Sequence, residues 1–211
     1  MNPLDAAGAR RQPKIRADLQ IIADMIESGA RVLDVGCGDG SLLSYLVTFK
    51  QVKGAGIELS QSGVNASVSF GLSVIQGDAD ADLADYPDGA FDYVILSQTL
   101  PATRDPRQVL SHLVRIGRRA VVSFPNFGHW EVRLRLMFGG RMPVTESLPE
   151  PWYETPNIHH CTIRDFLSLC EESGVTVERF LPLDGRGRPK RSTPMLLANI
   201  FSQHGMFMLS R

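Results

Sequence analysis

Apolar residues recur along the chain with two alternating periods. Ile15, Leu19, Ile22 and Ile26 fall at i, i+4, i+7 and i+11, with Asp18, Asp24 and Glu27 elsewhere on the wheel. This predicts a helix over 14–28, closed by Gly29. A short apolar run, 31–35, then predicts a buried strand. It ends in a glycine turn, and Leu42, Leu43, Leu46 and Val47 mark the helix that follows. The same unit returns as a strand over 54–60 with a helix over 61–69, and as a short strand over 72–76 with a turn at Gly77–Asp80. It returns again as a strand over 91–97 with a helix over 105–116, and as a strand over 119–124. Phe91 to Ser97 is apolar enough to be buried on both faces. Pro106 lies in the first turn of its helix and Gly117 follows its end.

Strand–helix alternation of this kind calls for right-handed crossovers and a parallel sheet covered on both faces. The expected fold is α/β, a doubly wound, Rossmann-like, mostly parallel sheet preceded by a helix. The C-terminal third is less regular. It reads as a helix over 128–138 and a Pro-rich loop over 139–160 holding Trp152 and Tyr153. A helix over 162–173 follows, with Thr162 and Asp165 at capping-box spacing. Strands are expected over 175–183 and 206–210, separated by a basic loop and an ambiguous segment. Residues 1–13 read as a flexible basic tail and 14–211 as one domain, as 211 residues allow.

In open α/β sheets, ligands lie beyond the carboxyl ends of the strands. Four such ends carry polar groups here: Asp34 to Gly40, Glu58, Asp78, and Ser97–Gln98. The first turn, Gly36-Cys-Gly-Asp-Gly40, sits between two acids, Asp34 and Asp39. A phosphate cradle is not expected to present carboxylates, whereas a cationic ligand suits them. S-adenosylmethionine carries both a sulfonium and an ammonium. Glu58 can accept both ribose hydroxyls, and Asp78 the exocyclic amine of adenine. A dinucleotide site is the alternative. Its fingerprint is G-x-G-x-x-G, where this turn has G-x-G-x-G. Asp39 beside a pyrophosphate would cost roughly 4 kcal/mol at a surface-like dielectric. A turn that binds nothing leaves Glu58 and Asp78 at matching positions without a reason.

The run Val32-Leu-Asp-Val-Gly-Cys-Gly-Asp-Gly40, with Glu58, Gly77-Asp78 and Phe91-Asp-Tyr-Val-Ile95, resembles the class I S-adenosylmethionine-dependent methyltransferases. Further runs are similar to the MetW proteins of bacterial methionine biosynthesis. These are Ser97-Gln-Thr-Leu100, Phe124-Pro-Asn-Phe-Gly-His-Trp130, Pro151-Trp-Tyr-Glu-Thr-Pro-Asn-Ile-His-His160 and Thr162-Ile-Arg-Asp-Phe166. Pro101 departs from that pattern, where Gln is usual. The resemblance implies a seven-stranded sheet and a site for S-adenosylmethionine or S-adenosylhomocysteine. Asp34, Gly36, Cys37 and Gly38 would hold the methionyl part, Glu58 and Leu59 the ribose side, and Asp78 and Ala79 the adenine. Ser97 or Gln98 would lie near the amino group. It also implies a role in methionine biosynthesis as a partner, or activator, of homoserine O-acyltransferase. A working methyltransferase on a small molecule is the second reading.

Methyl transfer often needs a base. Tyr153, His159 and His160 are the main candidates, with Glu154 and His129 beside them, and none carries a motif that fixes a reaction. His159 and His160 also read as loop anchors. No metal site is expected, since adjacent histidines diverge and Cys161 adds no zinc spacing. Cys37 reads as a packing residue. The segment 129–138, with Trp130, Arg133, Arg135 and Met137, reads either as core or lid packing or as a partner surface or substrate cover.

Composition narrows the partners. A net charge of -1 gives no built-in attraction to nucleic acid or an anionic membrane. The basic run 186–191 lacks stacking aromatics and reads as a solvated hairpin. No apolar run nears the roughly 18 residues of a membrane span. The N-terminus lacks signal-peptide character, and three scattered cysteines form no disulfide framework. A cytoplasmic protein is the expectation.

Overall fold

The computed structural model describes residues 15–190 and 194–211, so the expected tail over 1–13 lies outside the described residues. The first half follows the sequence pattern closely. Helix α1 (Ala17–Met25) precedes strand β1 (Arg31–Val35) and helix α2 (Ser41–Lys50). Strand β2 (Lys53–Glu58), α3 (Gln61–Ser69), β3 (Val74–Gln76) and the single turn α4 (Ala79–Asp82) come next. Strand β4 (Phe91–Ser97), α5 (Pro106–Ile116) and β5 (Gly117–Pro125) complete the alternating part. Helix α1 is shorter than its periodicity because Ile26 turns extended and buries its side chain. Lys50 Nζ donates to the Ala23 and Ile26 carbonyls at that end.

The C-terminal part contains α6 (Trp130–Gly139), α7 (Ile163–Glu172), β6 (Thr176–Leu183), α8 (Met195–Phe201) and β7 (His204–Ser210). The seven strands run in the order β3-β2-β1-β4-β5-β7-β6. The first five are parallel; β7 lies between β5 and β6, antiparallel to both. The capping box of α7 forms as its sequence requires, with Thr162 and Asp165 each accepting the other's backbone N–H.

Strand residues alternate between two cores. Val32, Tyr93, Ile95, Val121, Met206 and Met208 pack on one face under α1 and α2. Leu33, Val35, Val94, Leu96, Phe124 and Phe207 pack on the other under α5 and α7. Both faces of the central strands are therefore apolar, and the single buried charge in β1 is Asp34.

Two long connections are pinned by buried polar groups. Asn126, fully buried after β5, donates from Nδ2 to the Asn199 and Ser202 carbonyls at 3.0 and 2.7 Å. Its Oδ1 accepts from the N–H groups of Gly128 and Ile163 at 3.0 and 3.2 Å. One amide thus gathers both ends of the segment carrying α6 and its following loop. Farther along that loop, the N–H groups of Ile158 and His159 both donate to the Pro101 carbonyl at 2.9 Å.

The described part of the basic run 186–191 forms a hairpin, with Leu183 and Pro189 in an antiparallel bridge. Arg186 and Arg188 are exposed, but Gly187 is buried and packs on Asp18 of α1. Asp184 Oδ1 accepts from the N–H groups of Arg186 and Arg188, curling the loop inward at 2.9 and 2.8 Å. It is a packed turn with a charged rim; Arg191 lies outside the described residues.

Candidate functional site

The carboxyl ends of β1, β2, β3 and β4 meet along one sheet edge. Gly36, Gly38 and Gly40 all adopt positive φ, at 71°, 58° and 75°. That conformation is costly for residues with a Cβ. At Gly36 a Cβ would also lie 2.6 Å from Thr99 Oγ1, whereas at Gly38 it would meet open space. The turn is thus packed from beneath by Thr99 and open above. Glu58 closes the second strand and clasps this turn, accepting from the Gly38 N–H at 2.8 Å and the Ser60 N–H at 2.9 Å. Asp39 accepts from the Ser41 N–H at the start of α2, whose N-cap is Gly40.

A cavity of about 730 Å³ opens above the turn, lined by Asp34, Gly36, Cys37, Gly38, Ser97 and Gln98 among others. A second, of about 260 Å³, is lined by Glu58, Leu59, Asp78, Ala79, Thr99 and Pro156. Gly36 and Gln98 border both, so the two spaces adjoin. The structure brings together every residue expected at a cofactor site, on one side of the sheet and within two adjoining hollows.

Asp34 sets the electrostatics of the larger cavity. Its side chain is 3% exposed and borders the open space, with no hydrogen bond or ion pair among the described residues. Burial pushes its pKa up to about 7, and the neighbouring Glu58 charge adds to the rise. A buried carboxyl of this kind is poised to ionise when a cation arrives. Asp78 is better provided for. It caps α4 by accepting from the Asp80 N–H at 3.0 Å and lies 3.6 Å from the Arg104 guanidinium. Asp80 in turn accepts from the N–H groups of Arg104 and Asp105.

Gln98 stands at the junction with φ at 61°, one of two residues other than glycine with positive φ among those described. Single residues held there cost about 1–2 kcal/mol and persist only where their surroundings fix them. The Gln98 N–H donates to the Ser123 carbonyl at 2.8 Å, and Nε2 donates to Ser123 Oγ at 3.3 Å. Ser97 Oγ lies 3.1 Å from the same hydroxyl. Ser123, in β5, is therefore the support of both site residues. Its role was invisible in the sequence, because β4–β5 pairing brings it from 26 positions away.

The candidate bases lie apart from these two cavities. Tyr153 is exposed and meets Trp152 edge-on. His159 faces the Arg104 carbonyl through Nε2 at 3.2 Å, and His160 stacks on Phe127 with ring centroids 4.7 Å apart. Cys37 packs against Gly56 and Ser67, and burial pushes its thiol pKa up to about 12, so it carries no thiolate at neutral pH.

Helix α6 settles one of the two readings of 129–138. Only Val132 of this helix is buried. Trp130, Leu134, Leu136, Met137 and Phe138 are exposed, Met137 by 67% and Phe138 by 79%. The segment therefore does not pack in the core, although its apolar side chains lie on all sides of the helix. Among the described residues no helix is long and apolar enough to cross a membrane.

The family model described as "Methionine biosynthesis protein MetW" matches residues 16–209. The bifunctional methionine biosynthesis protein MetXA/MetW of Rhodopirellula baltica is 32% identical over 173 residues, covering 78% of this chain and 28% of that one. This chain therefore spans less than a third of that relative. Among solved structures, a Haloferax volcanii methyltransferase in complex with the Trm112 methyltransferase activator superposes with a TM-score of 0.68 at 15% identity. The match covers 92% of this chain and 88% of that one. A Thermotoga maritima S-adenosylmethionine-dependent methyltransferase gives 0.65 at 17% identity, over 92% and 87%. At such identities these structures establish the fold, that of the S-adenosylmethionine-dependent methyltransferases.

Proposed function

Because the chain belongs to the MetW family of methionine biosynthesis proteins, we propose that it binds S-adenosylmethionine and serves as a ligand-responsive partner of homoserine O-acyltransferase. The observation that carries the ligand is Asp34, a buried carboxyl without a partner, bordering a cavity large enough for the cation. The methionyl ammonium and sulfonium supply the missing charge there. Glu58 keeps free lone pairs for the ribose hydroxyls while it clasps the glycine turn. Asp78 accepts from the adenine amine, and Leu59 and Pro156 supply apolar walls. Gln98, at the junction, faces the donor's amino group.

Two features support the partner. The Rhodopirellula baltica relative joins a MetXA unit and a MetW unit in one protein. Helix α6 offers Trp130, Met137 and Phe138 to solvent, residue types enriched at interface cores. The acyltransferase is the occupant assigned to this face. Asp substituted at Met137 and Phe138 together is expected to weaken partner binding at least about thirtyfold, a hot-spot loss. S-adenosylmethionine binding should stay within twofold of the parent, since neither residue lines its cavities. Biolayer interferometry with the immobilised acyltransferase measures the first quantity and calorimetry the second.

The regulatory half of the reading rests on linkage. A ligand shifts an association only by its differential affinity for the free and bound protein. The decisive measurement is the affinity of the two proteins for each other with and without saturating S-adenosylmethionine, with acyl transfer as the output. Equal affinity and equal turnover in both states overturn the ligand-responsive role.

A further inference from the structure

Beyond Gln98 lies another recess, of about 430 Å³, separate from the cavities assigned to the methyl donor. Its walls come from five parts of the chain: Arg16 and Asp18 at the start of α1, Gln98 after β4, Glu146 in the loop after α6, Arg186 after β6, and His204 at the start of β7. Arg16 and Gln98 also border the larger donor cavity, so the two spaces share a wall.

The charges in this recess leave a specific remainder. Arg16 grips Asp18 through two bonds, Nη2 to Oδ2 at 2.8 Å and Nε to Oδ1 at 3.1 Å, and the pair is neutral. Asp184, just behind the wall, is engaged by the N–H groups of Arg186 and Arg188. Glu146 and Arg186 have no side-chain partner among the described residues. Glu146 is held close to the backbone, since a Cβ on Gly185 would lie 2.5 Å from its carboxylate oxygen. His204 adds an acceptor. Its Nδ1 lies 3.3 Å from the Asp184 carbonyl, which can only accept, so Nδ1 carries the proton and Nε2 the lone pair. Burial lowers the His204 pKa, and the ring is neutral near pH 7.

We propose that this recess binds a small zwitterion of the α-amino acid class. Arg186 takes the carboxylate, while Glu146 and the free ring nitrogen of His204 take the ammonium. One free acid, one free guanidinium and one neutral acceptor match a zwitterion better than a simple cation or anion. The recess places such a ligand beside Gln98, where it would share a wall with the donor.

The test is calorimetric titration of L-methionine and of L-homoserine, one apolar and one hydroxylated, into the full chain saturated with S-adenosylhomocysteine. Saturation blocks the amino-acid end of the donor cavity. At least one of the two is expected to bind. N-acetyl-L-methionine, lacking the ammonium, and L-methionine methyl ester, lacking the carboxylate, are expected not to. Glu146→Gln and Arg186→Gln should each weaken the amino acid at least tenfold, the usual loss for a hydrogen bond to a charged group. Both positions are exposed, and both variants should bind S-adenosylhomocysteine as the parent does. The proposal falls if neither amino acid binds, or if the two variants bind within twofold of the parent. Amino-acid binding that depends on Glu146 in a protein that does not take S-adenosylhomocysteine would remove the donor assignment and leave the recess standing.

Discussion

Asp34→Asn is expected to stabilise the ligand-free protein above pH 7 and to weaken S-adenosylmethionine by two to three orders of magnitude. Both effects have one cause. The folded-state pKa of Asp34 is about 7, against an ordinary 3.8, chiefly through burial. A carboxyl whose pKa is raised by folding favours the folded state fully only below the unfolded value. That contribution is lost as pH rises from about 4 to 7 and is absent above. Three units correspond to a ceiling of about 4 kcal/mol, with relaxation of the site reducing it. The uncharged amide avoids this loss, so the thermal midpoint at pH 8 should rise, while at pH 4 parent and variant should melt together. A bound cation reverses the balance. Removing one partner of a buried ion pair costs about 3–5 kcal/mol, which gives the predicted loss of affinity. The parent should bind S-adenosylmethionine roughly tenfold tighter at pH 7.5 than at pH 6, since ionisation of Asp34 then comes at less cost. The variant should lack that slope. A parent with no slope, or a variant of undiminished affinity, would show that the cation sits elsewhere.

Asn126→Ala should destabilise the protein by about 3–5 kcal/mol, the largest loss expected from any single polar side chain described above. The amide serves two carbonyls and two N–H groups in a fully buried position. Each buried backbone group left without a partner costs about 1–3 kcal/mol. Water entering the gap offsets part of the total. Urea denaturation followed by far-ultraviolet circular dichroism reads the change. Asn126→Asp should not rescue it, because a carboxylate cannot donate to the Asn199 and Ser202 carbonyls. A loss under about 1 kcal/mol would mean that the segments meeting at Asn126 are held by other contacts.

These two residues also mark what the sequence discloses and what it conceals. Asp34, Glu58 and Asp78 are legible because each closes a strand of a repeating unit, so local pattern places them together. The five parallel strands are legible for the same reason. The direction of β7 is not, because alternation gives a strand its faces but not its neighbours. Asn126 draws its partners from up to 76 residues away, and Ser123 reaches Gln98 only through strand pairing. Arg104 comes to Asp78 by a similar accident of topology. Helix α6 carries apolar residues on all sides, a pattern equally suited to a core and to an interface, and only the fold decides between them. In the 186–190 hairpin composition foretells the solvent-facing charges but not the glycine buried beneath Asp18.

The pin at Pro101 has a consequence for how this loop can change over time. Two N–H groups of the 139–160 loop end on a main-chain carbonyl, and no side chain takes part in either bond. Every amino acid offers that carbonyl, so any substitution at position 101 keeps the acceptor, and any but proline at 158 or 159 keeps the donors. The loop's surface residues are therefore free to diverge from chain to chain, while the point at which it is moored, next to the cavity that Ala102 and Thr103 line, stays the same.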